Sequence, residues 1–253
     1  MSQKTMCVII SPAKRMAVDT DSFPVEGLPL FLERTQRLKA ALQGMSPTQL
    51  QALWRCNDAI ARQNVERLAD MDLHRRLTPA LLAYEGIQYQ YMAPGVMESA
   101  QLDYLRDHLR ILSGFYGLLR PFDGVTPYRL EMQARLAVDG CRDLYGFWGG
   151  SLAQALSAEA HCVLNLASKE YSRAVEPHLP QSIPFVTCTF GEWKDSKVVE
   201  KGTMCKMARG QMVRWLAQTG VTCREDVRGF DQLGYRFQPE LSAQNHDVFL
   251  KER

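Results

Sequence analysis

A run of arginines and glycines between Leu105 and Arg120, LRDHLRILSGFYGLLR, has the chemistry to bind phosphate. An amphipathic helix, a Gly-aromatic-aromatic-Gly turn and a second short helix together predict a helix-hairpin-helix element. Such an element offers backbone N–H groups at a helix N-terminus, where free donors and the helix dipole favour an anion. The candidate phosphate-binding residues of this segment are Arg106, Arg110, Gly114, Tyr116, Gly117 and Arg120. The alternative is an ordinary helix C-cap, in which Gly114 adopts the left-handed conformation.

A second group of cations lies in the segment KMARG, which begins at Lys206 and is followed by Arg214. The spacing predicts an amphipathic helix on which Lys206 and Arg209 share a face, whereas Arg214 is turned away from Arg209. Two cations in the first turn oppose the helix dipole, so an anionic ligand would compensate them. The alternative is a pair of solvated cations, bridged to Glu192 or Glu200.

The segment PYRLEM adds an arginine and a carboxylate to these candidates. In an extended chain, alternation places Arg129 and Glu131 on one face and Tyr128 and Leu130 on the other. A buried pair of Arg129 and Glu131 would organise a cleft, whereas a surface pair would contribute little to stability.

Five polar residues come at the end of the short apolar run CVLNLA or directly after it, and they are Asn165, Ser168, Lys169, Glu170 and Tyr171. The carboxyl end of a strand is where α/β proteins place their ligand-binding groups, so this position indicates a polar site. The alternative is a helix start, with Ser168 as the N-cap and Glu170 in the first turn.

The elements that would position these residues alternate between strands and helices. Apolar runs predict strands at 6–10, 162–167 and 183–190, and an alternating run predicts a strand or extended segment at 87–92. Helical spacing and capping residues predict helices at 30–41, after Ser46-Pro47, from Asn57 to Ala69, after Thr78-Pro79, and at 98–112, 148–158 and 206–218. No linker, charge block or repeat divides the chain. We therefore expect a single α/β (mixed α+β) domain over residues 1–253, in which helices surround a mixed sheet that includes the helix-hairpin-helix element.

Composition excludes several classes of function. The 30 Lys and Arg residues nearly balance the 28 Asp and Glu residues, so a basic site must be local. The chain lacks a G-x-S-x-G elbow, a Walker loop, a G-x-G-x-x-G motif and an H-E-x-x-H motif. Its five His are dispersed and its seven Cys form no C-x-x-C pair, so we expect neither a metal site nor a cofactor. Scattered thiols without a signal peptide or a long apolar run predict a cytoplasmic protein without a membrane partner.

Taken together, the motifs resemble those of the YaaA family of bacterial peroxide stress proteins in order and spacing. The resemblance spans the whole chain and rests on ISPAK from Ile10, LSGFYGLLRP from Leu112, PYRLEM from Pro127, LYGFWG from Leu144, NLASKEY from Asn165 and KMARG from Lys206. Phe115, Phe122 and the pair Arg15-Met16 depart from the residues usual in the family.

The resemblance implies a cytoplasmic protein of the hydrogen peroxide stress response. It implies binding to duplex DNA, with a preference for distorted DNA, and a limit on damage caused by intracellular iron. It also implies an α/β fold with a positively charged cleft and a helix-hairpin-helix element, which we map onto Leu105 to Arg120. The basic residues that match the family's motifs are Lys14, Arg129, Lys206 and Arg209.

Two functional hypotheses follow. In the first, Lys14, Arg129, Lys206, Arg209 and the hairpin cations line one groove that binds the DNA backbone without chemistry and without an obligate protein partner. In the second, the chain is an enzyme that acts on a small nucleotide or another anionic metabolite, with Glu131 or Glu170 as acid or base. Direct iron sequestration ranks last, because the sequence has no cluster of iron ligands.

Overall fold

The computed structural model describes residues 4–252, and within them eight strands form one mixed sheet. In chain order the strands are β1 (Thr5–Ile10), β2 (Arg15–Met16), β3 (Thr78–Pro79), β4 (Tyr84–Glu85), β5 (Leu109–Ser113), β6 (Gly117–Leu119), β7 (Gly124–Val125), β8 (Ala160–Leu166), β9 (Phe185–Lys194), β10 (Lys197–Val199), β11 (Tyr235–Phe237) and β12 (His246–Lys251). The order in the large sheet is β11-β12-β9-β8-β1-β5-β6, and β10 pairs with β9. Two small sheets, β2 with β4 and β3 with β7, complete the strand pairing.

The centre of the large sheet consists of five parallel strands, β12, β9, β8, β1 and β5. Antiparallel β6, β10 and β11 lie outside them. Parallel strands are covered on both faces and therefore need continuous apolar runs. Met6 to Ile10 are accordingly buried along their whole length, and so are Cys162 to Leu166. The strands predicted at 6–10, 162–167 and 183–190 are confirmed as β1, β8 and β9.

Eleven α-helices of the described chain surround this sheet. They are α1 (Leu32–Gln43), α2 (Pro47–Trp54), α3 (Asp58–Ala69), α4 (Ala80–Ala83), α5 (Ile87–Met92), α6 (Ser99–His108), α7 (Leu144–Trp148), α8 (Ser151–Glu159), α9 (Lys169–Ser172), α10 (Gly202–Thr219) and α11 (Arg224–Val227). Ser46 caps α2 through a capping box with Gln49, and the Asn57 side chain accepts a hydrogen bond from Ile60 N at the start of α3. The expected mixed α/β class is confirmed. None of the helices in residues 4–252 is both long and apolar enough to cross a membrane.

The helix-hairpin-helix element expected between Leu105 and Arg120 is not confirmed. The helix α6 ends at His108, four residues earlier than predicted, and residues 109–119 form a β-hairpin of β5 and β6. The apolar residues from Leu109 onward pair with β1, where Val8 faces Leu109 and Ile10 faces Ile111. This long-range pairing outweighs the local helical periodicity, because it completes the buried parallel sheet.

Two further predictions need correction, and a third is confirmed. Residues 87–92, predicted as extended, form the helix α5, which packs against α10. The helix predicted at 148–158 starts later, as α8 at Ser151, because Gly149, with a positive φ of 49°, ends the short helix α7 just before it. The short helix predicted after Thr78-Pro79 is confirmed as α4, and Thr78-Pro79 itself forms the short strand β3.

The chain reverses its direction across the sheet between β1 and β8. From β1 it moves to β5 on one side, then crosses to β8 on the other side and continues to β9 and β12. This point is a topological switch, where the loops at the carboxyl ends of neighbouring strands diverge and leave a crevice. Ile10 pairs with Leu166, so β1 and β8 end at the same level and their loops lie side by side.

Helix α10 approaches α5 at Gly210, where a Cβ atom would overlap the carbonyl oxygen of Gln88. We predict that Gly210→Ala lowers the free energy of unfolding by about 1 to 3 kcal/mol, because the two helices must separate. Gly202→Ala in the same helix is the matched control, since a Cβ there meets nothing within 4 Å. Urea denaturation of both variants measures the difference. Equal free energies of unfolding would show that α10 and α5 do not pack so closely.

Candidate anion-binding cleft

A cleft of about 400 Å³ lies at the carboxyl ends of β1 and β8, and we call it the switch-point cleft. Its walls come from the loop after β1, from the start of α5, from the extended segment after β7, from the start of α9 and from α10. The segments PYRLEM, NLASKEY and KMARG, distant in sequence, therefore face one cavity. Parallel strand ends and their divergent loops explain this placement.

Four of the five candidate cations outside the hairpin converge in the switch-point cleft. Lys14 comes from the loop after β1, Arg129 from the extended segment, and Lys206 and Arg209 from consecutive turns of α10. Lys206 is exposed and Arg209 is half-buried. Within residues 4–252 neither of these two forms an ion pair, so the α10 wall carries two uncompensated positive charges.

The carboxylate of Glu131 balances part of the charge on the opposite wall. Its Oε2 lies 3.0 Å from Lys14 Nζ, and its Oε1 lies 3.5 Å from Arg129 Nη2. Arg15 is paired separately with Glu85, at 3.4 Å. Together these contacts leave a cleft with five cations and three carboxylates among its lining residues, and therefore a positive local charge.

Three buried hydrogen-bond donors that belong to cleft residues have no acceptor among residues 4–252. They are Gln88 Nε2, Arg129 Nε and Arg209 Nε. Gln88 is only 7% exposed, and the Arg129 side chain is 10% exposed. Leaving a buried donor unpaired costs about 1 to 3 kcal/mol, and all three donors belong to residues that line the same cavity.

Hydrogen bonds between the two strand ends form the floor of the cleft. Ser168 N donates to Ser11 Oγ at 2.8 Å, and Ser11 Oγ lies 3.2 Å from Ser168 Oγ. Tyr89 OH donates to the Ser11 carbonyl oxygen at 3.0 Å. These contacts fix the loop that carries Lys14 against the loop that carries Glu170.

Glu170 is the candidate acid of the cleft. Burial, and to a lesser degree the neighbouring Glu131 carboxylate, raise the pKa of Glu170 above its usual value. The Gln133 backbone N–H donates to its Oε1 at 3.2 Å. Burial also raises the pKa values of Tyr128 and Tyr171, so both phenols stay neutral.

Asn165 does not line the cleft. It is buried in β8, where its side chain accepts a hydrogen bond from Ala167 N at 2.9 Å and donates to Thr187 Oγ1 at 3.1 Å. These bonds shape the turn that leads to Ser168. Tyr128 lines the cleft, but its hydroxyl is held at 2.6 Å from Ser113 Oγ and 2.9 Å from Tyr84 OH.

The hairpin cations are not part of the switch-point cleft, so the expectation of one groove for all cations needs correction. Arg106, Arg110 and Arg120 line a separate groove of about 590 Å³, which we call the hairpin groove. Arg106 pairs with Glu26 at 2.7 Å and also with Asp103, and Arg110 pairs with Glu159 at 2.7 Å. Parallel pairing of β5 with β1 directs this segment to a different part of the molecule, where carboxylates neutralise Arg106 and Arg110.

The remaining hairpin candidates are interior residues. A Cβ at Gly114 would lie 2.6 Å from the Leu130 carbonyl oxygen, and Gly117, with φ of 79°, packs against Trp148. The Tyr116 hydroxyl lies 3.2 Å from Thr126 Oγ1 in the core. Arg214 lies two turns beyond Lys206 on α10, is half-buried, and lines neither the cleft nor the hairpin groove.

Sequence reasoning missed Gln88 and Ser11 as cleft residues. Gln88 belongs to a segment predicted as extended, and its place in the cleft wall depends on the helical form of that segment and on its packing against α10. Ser11 directly follows the first predicted strand. A polar residue at the carboxyl end of a buried strand is a common ligand-binding position, and this signal could have identified Ser11 from the sequence.

The fold and the site together define a mixed α/β protein with a basic cleft at its topological switch point. The family model of the peroxide stress protein YaaA matches residues 6–241. A UPF0246 protein of Lachnoclostridium phytofermentans is 49% identical over 246 residues, which cover 97% of this chain and 96% of the relative. One of Agathobacter rectalis is 49% identical over 248 residues, covering 98% and 99%, and one of Pediococcus pentosaceus is 49% identical over 246 residues, covering 97% and 98%. The chain therefore belongs to the YaaA family of peroxide stress proteins, and this membership supports a role in the peroxide stress response.

Among the carboxyl groups that line the hairpin groove, that of Asp123 has a pKa well above its usual value. Burial raises the pKa of Asp123 to about 6, although its Oδ2 accepts a hydrogen bond from Arg120 N at 2.8 Å. When the pKa of a carboxyl group is higher in the folded state than in the unfolded state, its protonated form stabilises the fold. This contribution is complete at pH values below the pKa of the unfolded state. That stabilisation is lost as the pH rises through about 6.

We predict that Asp123→Asn gains up to about 3 kcal/mol of stability relative to the wild type between pH 4 and pH 7. The asparagine oxygen can still accept the Arg120 N–H bond, so the charge is the main change. Urea denaturation across this pH range measures the difference between the two proteins. Parallel stability curves would contradict the assigned pKa.

Proposed function

We propose that this peroxide stress protein binds the phosphate backbone of duplex DNA in the switch-point cleft. The observation that carries the proposal is the convergence of Lys14, Arg129, Lys206 and Arg209 from three distant segments of the chain. Lys206 and Arg209 have no carboxylate partner among residues 4–252, so a phosphate would be their main counterion. Cations of this kind bind every DNA sequence alike, because phosphate carries no base information.

The unpaired donors of the cleft support the same proposal. The oxygens of a phosphodiester would accept hydrogen bonds from Arg209, Arg129 and Gln88, whose buried donors have no acceptor within residues 4–252. Arginine is suited to this contact because its planar guanidinium matches the geometry of phosphate oxygens. Binding would release condensed counterions from the DNA, so affinity would fall steeply as salt increases.

The concave shape of the site favours DNA that departs from a regular duplex. The cleft of about 400 Å³ accepts a projecting segment of backbone more readily than the surface of a straight helix. In this proposal the protein acts in the cytoplasm, covers DNA during peroxide stress and limits iron-dependent damage there. It needs no metal and no obligate protein partner for DNA binding.

Removing either uncompensated cation tests the proposal. We predict that Lys206→Ala and Arg209→Ala each weaken binding to all duplex sequences to a similar extent. Each should reduce the slope of log affinity against log salt by about 0.9, the value for one lost phosphate contact. Fluorescence anisotropy with two unrelated duplexes over a range of salt concentrations measures both effects.

Arg236→Gln is the matched control, because Arg236 lies on the edge strand β11 and pairs with Glu252 at 3.0 Å. Arg236→Gln also removes one positive charge, but it does so on a strand that lies three strand spacings, or roughly 14 Å, from β8 at the cleft. The DNA-binding proposal is wrong if Lys206→Ala and Arg209→Ala bind duplex DNA as the control does.

A second candidate function is an enzyme that acts on a small nucleotide or another anionic metabolite. Two observations favour it: the cleft volume lies in the range of small-molecule sites, and Glu170 has a raised pKa beside Glu131. In such an enzyme Glu170 would transfer a proton while the cations hold the anion. Turnover of a nucleotide panel by the wild type and its loss in Glu170→Gln would support this candidate, and the absence of turnover would count against it.

A further inference from the structure

A second groove of about 420 Å³ adjoins the switch-point cleft, and we call it the helix-turn groove. The two cavities share Lys14, Arg129 and Glu131, so these three side chains form the boundary between them. The outer wall of the helix-turn groove is the carboxyl end of α2 and the turn before α3. Its other wall is the chain that follows PYRLEM, from Gln133 to Arg135.

The helix-turn groove carries its own positive charge. Arg55 and Arg135 are exposed lining residues, and neither forms an ion pair within residues 4–252. Glu131 is the one carboxylate among the described lining residues, and it is already shared by Lys14 and Arg129. Neither Arg55 nor Arg135 therefore has a fixed counterion in this part of the structure.

A buried donor without a partner also belongs to this groove. Trp54 is a lining residue that is only 4% exposed, and its Nε1–H has no acceptor among residues 4–252. Buried tryptophan N–H groups usually find a partner. An oxygen-rich ligand in the groove would supply one after a small local adjustment.

The backbone at the rim of the groove is unusual. Arg55 ends α2 in the left-handed region, with φ of 47°. Glycine is the common residue at such helix ends, since it adopts this conformation without a steric penalty. The chain instead places a cation there, beside Trp54 and facing the groove that Arg135 lines.

We infer that the helix-turn groove is a second phosphate subsite, continuous with the switch-point cleft. The inference rests on the proposed function and makes it more specific, because the ligand must then carry several phosphates along one chain. Arg129 and Lys14 contact both cavities, so a phosphodiester backbone would run past them from the α10 wall to Arg55 and Arg135. A mononucleotide, with a single phosphate group, would occupy the switch-point cleft alone.

The test removes the two groove cations without disturbing the helix. In the double variant Arg55→Gly and Arg135→Gln, glycine suits the left-handed conformation of residue 55, so α2 keeps its end. The full-length double variant is compared with the wild type and with Arg236→Gln. The probes are a duplex of about 20 base pairs, which carries many backbone phosphates, and a deoxynucleoside monophosphate, which carries one phosphate group.

For the duplex we expect the double variant to lose affinity by at least about tenfold at low salt. Its slope of log affinity against log salt should fall by about 1.8, which corresponds to two phosphate contacts. Affinity for the monophosphate should stay at the wild-type value, because the switch-point cleft is unchanged.

Three results would overturn the inference, and they differ in what they say about DNA binding. If the double variant binds the duplex as Arg236→Gln does, while Lys206→Ala and Arg209→Ala lose affinity, the groove is not a subsite but the proposed function stands. If the double variant loses as much affinity for the monophosphate as for the duplex, the two substitutions disturb the switch-point cleft itself, and the helix-turn groove is not a separate subsite. If the wild type binds no duplex, the inference and the proposed function fail together.

Discussion

The pairing of β1 with β8 is the constraint on which the candidate site depends. Their parallel register sets Ile10 beside Leu166, and two short contacts between Ser11 and Ser168 then tie the loops that follow. Because β5 lies on the opposite side of β1, the chain diverges here and leaves an open crevice. A change in this register would move Lys14 away from Glu170 and from the α10 wall, and the walls of the cleft would then no longer face one another.

The same region concentrates features that do not favour stability. Three buried donors lack acceptors among residues 4–252, cations outnumber carboxylates among the lining residues, and Glu170 is held where ionisation is disfavoured. Such a combination is costly in a folded protein and is typical of sites selected for binding rather than for packing. The hairpin groove shows the opposite arrangement, because Glu26 and Glu159 neutralise Arg106 and Arg110. Arg106 and Arg110 are therefore neutralised by fixed partners, whereas Arg209 of the switch-point cleft forms no ion pair among residues 4–252 and keeps its charge for a ligand.

The sequence was sufficient to predict three of the five central strands, β1, β8 and β9, the capped helices α2 and α3, and the residue types of the cleft. Continuous apolar runs and capping residues act over a few positions, so they can be read locally. The sequence could not show that Leu109 to Ser113 leaves the helical pattern, because pairing with β1 decides that segment from a hundred residues away. Gln88 was missed for a similar reason, since the close approach of α10 at Gly210 is a tertiary contact. The convergence of Lys14, Arg129 and Arg209 required the strand order, which no local pattern contains.

The central claim is that an anionic backbone binds at the switch-point cleft and not at the hairpin groove. Backbone hydrogen exchange with and without saturating duplex DNA tests it most directly, because it reports on both regions in the same experiment. Our account predicts slower exchange on DNA binding in residues 11–15, 128–133, 167–171 and 203–209, with little change in residues 106–120. Protection confined to residues 106–120, with unchanged exchange around Ser11 and Ser168, would contradict it.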